Sequence, residues 1–126
     1  MDSKRTILIR AAGLELKAEV LPNETGDKIL SILPIVSHAQ RWGEEIYFSI
    51  PLSLPRAADA REVVAAGELG YWPDGTSFCI FFGRTPVSRG DEIRAASPVN
   101  VFGRIVADWG QLTAVGDGQE ISVDRV

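Results

Sequence analysis

Residues 67–103 read GELGYWPDGTSFCIFFGRTPVSRGDEIRAASPVNVFG, and this stretch decides the fold. Glu68–Trp72 and Thr76–Phe82 are two aromatic-rich strand patterns joined across Pro73-Asp74-Gly75. Proline presets the first turn position there and glycine tolerates positive φ. Phe78, Ile80 and Phe82 share one parity of the second run, and Cys79 and Phe81 share the other. Alternate strand residues point to opposite faces, so this strand is expected to be covered on both sides. Thr85-Pro86 and Ser97-Pro98 then bound a polar loop over Arg84–Pro98, before a third apolar run at Val99–Val106. Six of the chain's ten aromatics fall in this segment, which marks it as the heart of a small barrel or the lining of a cleft on one.

Working outward, Thr6–Ala11 and Leu14–Leu21 form a hairpin about Ala12-Gly13, the second run alternating apolar and charged residues. Asn23 and Thr25 are N-cap residues, and Glu24 and Asp27 place negative charge where the helix dipole favours it. The pattern predicts a helix over 24–33, stopped by Pro34. Ile46, Phe48 and Ile50 alternate with Tyr47 and Ser49 as a strand, and Gly43 marks a bulge or turn before it. Ala57–Ala66 reads as irregular or as one to two helical turns. Asp108 caps a second short helix near 108–114, and Gly116-Asp117-Gly118 turns into a last strand at Glu120–Val126. About eight strands with two short helices and no βαβ rhythm favour a closed antiparallel barrel.

The composition limits the function classes. One domain of 126 residues can bury a core without disulfides or metal. A net charge of −4 speaks against nucleic-acid partners, which need a basic surface. No window is apolar enough for a membrane helix, and Arg10 interrupts the apolar run in MDSKRTILIR where a signal peptide would continue. The single cysteine, Cys79, fits the reducing cytoplasm. With one histidine, His38, and one cysteine there is no zinc-ligand spacing, and scattered glycines form no phosphate loop, so no metal or other cofactor is expected.

The segments YWPDGTSFCIFFGRTPVS (71–88), ASPVNVFGRI (96–105) and AQRWGEEIYFSIP (39–51) resemble the small cyclophilin-like proteins of bacteria and archaea. The resemblance runs from the first hairpin to the terminal strand. It implies a single domain over residues 1–126, a closed eight-stranded cyclophilin-like barrel with two helices. It also implies a flank pocket floored by the strand of paired phenylalanines, with Phe81 or Phe82 as the apolar floor. Typical cyclophilins polarise the rotating prolyl amide with an arginine in a Phe-His-Arg-type segment, and no such segment occurs here.

Gln40, Arg41, Trp42, Glu44, Glu45 and Tyr47 are the densest polar-aromatic cluster in the chain. They read either as one wall of a ligand cleft or as a bent edge strand with solvated charges. The site expectation places Arg41 as the catalytic donor, oriented by Glu44 or Glu45. Trp42, Tyr47, Tyr71, Trp72, Phe81 and Phe82 complete the ligand-binding set. Two functions compete: a binding domain for a small molecule or peptide segment, and a peptidyl-prolyl cis-trans isomerase built around Arg41. The expected partner is a small molecule or a proline-containing peptide. A hydrolase with Glu44 or Glu45 as general base lacks a nucleophile or metal to support it.

Overall fold

The computed structural model describes residues 5–126; the start of the N-terminal run, residues 1–4, lies outside them. Ten strands alternate with little helix: β1 (Thr6–Ala11), β2 (Leu14–Val20), β3 (Ile35–His38), β4 (Gln40–Arg41), β5 (Glu45–Ser49), β6 (Arg61–Val64), β7 (Glu68–Trp72), β8 (Ser77–Phe81), β9 (Ile93–Ile105) and β10 (Glu120–Arg125). The sheet runs β3-β10-β1-β2-β9-β7-β8-β5-β4, antiparallel throughout, with β6 branching from β9. The closed eight-stranded barrel expected from the sequence is corrected here. No ladder joins the two ends, β3 and β4, among the described residues, although the chain passes directly between them through buried Ala39. Three strands lie outside the runs named from the sequence: β3, β4, split from it at Ala39, and β6.

The first hairpin turns through Ala12 (φ 54°) and Gly13 (φ 78°), both left-handed as a two-residue hairpin connection requires. The helix α1 spans Glu24–Ser31, two residues shorter than expected. The Asn23 side chain accepts the Gly26 amide at 2.8 Å, and Ile29 and Leu30 are buried. At the other end the Ile32 amide reaches back to the Ile29 carbonyl, tightening the last turn before Pro34 takes effect. The second helix is a 3₁₀ segment at Trp109–Ala114, with Asp108 accepting the Gly110 amide at 3.0 Å.

β6 replaces the irregular or helical stretch expected in 57–66. Val63 and Val64 are β-branched, and β9 offers them an edge to pair with. For the same reason β9 begins at Ile93, inside the expected polar loop. Its first half pairs with β6, and its second half with β2 and β7.

Two apolar clusters result. The larger lies on the face of the sheet carrying Ile7, Ile9, Leu16, Phe48, Leu69, Tyr71, Phe78 and Phe102. Phe78 stacks on Phe48 at 4.8 Å and meets Phe102 edge-on at 5.1 Å. The smaller gathers Val64, Cys79, Phe81, Ile93, Ala95 and Val99 on the opposite face. β8 is therefore buried on both sides, as its sequence predicts, and its outer cover is the β6–β9 pair. Asn100, also buried, pins the segment before β6: its Oδ1 accepts the Ala57 amide at 2.8 Å and its Nδ2 donates to the Pro55 carbonyl at 3.1 Å.

Candidate functional site

The pleat of β5 sorts its side chains. Ile46 and Phe48 enter the larger core, so Glu45 and Tyr47 face the smaller cluster, opposite Phe81 and Cys79 of β8. On β7, Trp72 packs against that same cluster. Gly70 has no side chain there, and a Cβ would sit 2.9 Å from Val99 Cγ2 and 3.3 Å from Phe81 Cε2. Phe81 and Val99 therefore close over the backbone of β7. Above them opens a pocket of about 220 Å³ lined by Trp42, Glu45, Tyr47, Trp72, Ala95, Ala96 and Val99. The two alanines explain the space, since larger residues at 95 and 96 would occupy it.

The aromatic walls are fixed by specific contacts. Tyr47 and Trp72 meet edge to face, with ring centroids 6.3 Å apart at 79°. Trp72 Nε1 donates to Ser97 Oγ at 2.6 Å, and that hydroxyl donates to Asp74 Oδ2 at 2.7 Å. The Trp72 ring also lies on Gly75, leaving no room for a Cβ at that position. Trp42 is held by the two-residue hairpin Gly43-Glu44. Its amide donates to the Glu45 carbonyl at 3.0 Å, and the Glu45 amide returns to its carbonyl at 3.2 Å. Gly43 takes φ 61° to make that turn.

Glu45 is the polar centre of the pocket. It is 5% exposed, and Oε1 has no hydrogen-bond partner among the described residues. Burial raises its carboxyl from the ordinary 4.5 to about 7, with the nearby Cys79 thiol offsetting part of the rise. Cys79 is in turn pushed well above the usual thiol range, by burial first and then by the Glu45 carboxylate.

The sequence-expected residues separate into two groups. Trp42, Glu45, Tyr47 and Trp72 come together in the pocket, and Phe81 lies in the cluster beneath it. Phe82 and Tyr71 belong to the larger core on the other face. The Tyr71 hydroxyl donates to the Leu52 carbonyl at 2.7 Å and accepts the Leu54 amide at 3.1 Å. Arg41 does not line the pocket. Its guanidinium stands 5.1 Å over the Phe82 ring and donates to the carbonyls of Gly43, Thr113 and Val115. The expected pairing of Arg41 with Glu44 or Glu45 is absent, because those carbonyls already take its donors. Glu44 is exposed in the hairpin turn and leans over Gly83.

Ala95 and Ala96 were not legible as site residues because they fall in the expected polar loop, and Val99, the first residue of the expected strand Val99–Val106, is an aliphatic residue with nothing to mark it as a site residue. His38 is exposed on β3, and no group of His, Cys, Asp or Glu among the described residues could hold a metal ion. No helix among them is long and apolar enough to cross a membrane.

A family model described as Cyclophilin-like matches residues 5–124. The chain is also similar to the solution structure of a hypothetical protein from Archaeoglobus fulgidus. Identity is 37% and the TM-score 0.81, over 100% of this chain and 98% of that one. No curated protein matches.

Proposed function

This chain belongs to the cyclophilin-like family, and from that premise we propose that it is a binding domain. Its pocket takes a small molecule, or one side chain of a bound peptide, between Trp42, Tyr47 and Trp72. The observation that carries this reading is the buried carboxyl of Glu45, its Oε1 without a partner among the described residues, in the lining of an otherwise apolar, aromatic-walled concavity. Such a pocket combines apolar contact area with one orienting polar group, which is the usual make-up of a ligand site. A buried polar atom without a partner costs stability, and a ligand that bonds to it recovers that cost.

Binding accounts for the geometry better than prolyl isomerisation does. Weakening amide resonance calls for a donor beside the proline nitrogen, against a barrier of about 20 kcal/mol. Among the described residues no arginine lines this pocket, and Arg41 stands over Phe82 with its donors taken by backbone carbonyls.

The test follows the indole N–H signals of Trp42 and Trp72 by NMR. The protein is titrated with 3,3-dimethylbutan-1-ol, a compact neutral probe, and with an Ala-Ala-Pro-Phe peptide. At least one probe is expected to shift both signals in the native protein and neither in Ala96→Leu, which fills the rim of the pocket. Shifts that survive Ala96→Leu, or no shift with either probe, would overturn the reading. A protease-coupled assay on the same peptide is expected to show no isomerisation above background.

A further inference from the structure

The geometry points to an organic cation, an alkylammonium head group, as the ligand of this pocket, seated between Trp42, Tyr47 and Trp72 with its charge against Glu45; this rests on the binding reading above. Three aromatic side chains surround one carboxylate, and each observation favours positive charge. The negative face of an aromatic ring attracts an ammonium group, most strongly when water is excluded. Tyr47 and Trp72 are locked at right angles, so they present walls in two directions instead of a single stacking slot. The Ser97–Asp74 relay occupies the indole N–H of Trp72, leaving that ring to act through its face.

Glu45 supplies the charge. Its Oε1 is buried and has no partner among the described residues, and the Cys79 thiol that contacts the carboxyl carries no positive charge, so its negative charge is not neutralised there. The other charged groups nearby are turned away or already paired. Glu44 leans over Gly83, Arg41 is bound to carbonyls, and Arg94 on β9 is held by Glu92 at 2.6 Å and by Glu62 at 3.9 Å. Asp74 lies behind Trp72 on Ser97, and the Cys79 thiol stays protonated. Among the described residues no lysine or arginine lines the pocket. A neutral ligand would leave the ionised carboxylate unpaired, and an anion would face it directly. An ammonium group of fixed charge neutralises it.

A cation also makes the site pH-dependent in a definite direction. It binds the ionised form of Glu45, so affinity rises as pH passes through about 7, and binding releases a proton at lower pH. Between pH 6 and pH 8 the ionised fraction of such a carboxyl grows about tenfold, and affinity grows with it.

Choline and 3,3-dimethylbutan-1-ol separate the ideas, because they share a shape and differ in charge. Isothermal titration of each at pH 6 and pH 8 is run on the native protein and on Glu45→Gln. Choline is expected to bind at least about tenfold more tightly than the alcohol at pH 8, and to lose about tenfold at pH 6. In Glu45→Gln the pH dependence should vanish and the preference for choline should shrink to what the aromatic faces supply, and Tyr47→Leu should weaken choline more than the alcohol. Equal binding of the two probes would overturn the cation inference and leave the pocket reading intact. Failure of choline to bind at pH 8 while the alcohol binds would do the same. Failure of both overturns the cation inference, and the peptide titration described above then decides the pocket reading by itself.

Discussion

Glu45→Gln is expected to stabilise the protein above neutral pH, although it alters the centre of the candidate site. In the unfolded chain this carboxyl titrates near 4.5, and in the folded protein burial raises it to about 7. Below pH 4.5 the side chain is protonated in both states, and its contribution to stability is at its most favourable. As pH rises, the unfolded chain releases the proton while the folded protein retains it, so stability falls until the folded group also titrates near pH 7. At roughly 1.4 kcal/mol per pH unit, that interval corresponds to a loss of about 3 kcal/mol. Glutamine has the shape of the protonated acid and does not titrate. The difference in unfolding free energy between the two proteins should therefore move by about 3 kcal/mol in favour of Glu45→Gln between pH 4.5 and pH 8. Urea denaturation at half-unit pH intervals measures it, and titrations elsewhere in the chain cancel in the difference. A difference that is flat with pH would refute the buried, uncompensated carboxylate and the ligand argument built on it.

Other perturbations probe the surroundings. Cys79 is fully buried and its thiol is held protonated, so iodoacetamide at pH 8 should leave native protein unmodified and label it only in urea, as mass spectrometry would record. Arg41→Ala removes the donors to Gly43, Thr113 and Val115 and the cover over Phe82; it should cost about 2 kcal/mol in urea while leaving choline affinity unchanged. Gly75→Ala drives a methyl group into the Trp72 ring, so it should weaken ligand binding and shift the Trp72 indole signal. Asn100→Ala leaves the Ala57 amide and Pro55 carbonyl without their buried partner and should cost about 2 kcal/mol, with protease sensitivity appearing in the 51–60 segment.

How much of this was legible in the sequence depended on whether neighbouring residues carried the information. The first hairpin, α1 and the two-sided burial of β8 follow from local periodicity and capping, and all three formed where expected apart from the last turn of α1. β6 and the first half of β9 did not. Residues 57–66 and 84–98 hold alanines, charges and two prolines, and they become strands because each supplies the other with an edge. Pairing of that kind between distant segments leaves little trace in either one. The same limit shaped the site. Trp42, Glu45, Tyr47 and Trp72 stood out by residue type, and the strand period correctly separates Phe81 from Phe82 onto opposite faces. What the period could not give was the destination of Arg41. Besides Gly43, its partners are carbonyls at 113 and 115, more than seventy residues away, and a backbone acceptor leaves no mark in a sequence.

The irregular pairing of β6 with β9 has a bearing on how the pocket can change. Arg61 stands opposite Val99 and Val63 opposite Arg94, so residues 95–98 of β9 face the single residue Glu62. That stretch is excess length within an otherwise regular ladder, and it contains Ala95 and Ala96 of the pocket and the Ser97 that steers Trp72. Side chains there can be exchanged without breaking a cross-strand register on either side. The scaffold thus sets against the pocket a stretch of four residues whose conformation the β6–β9 register does not dictate.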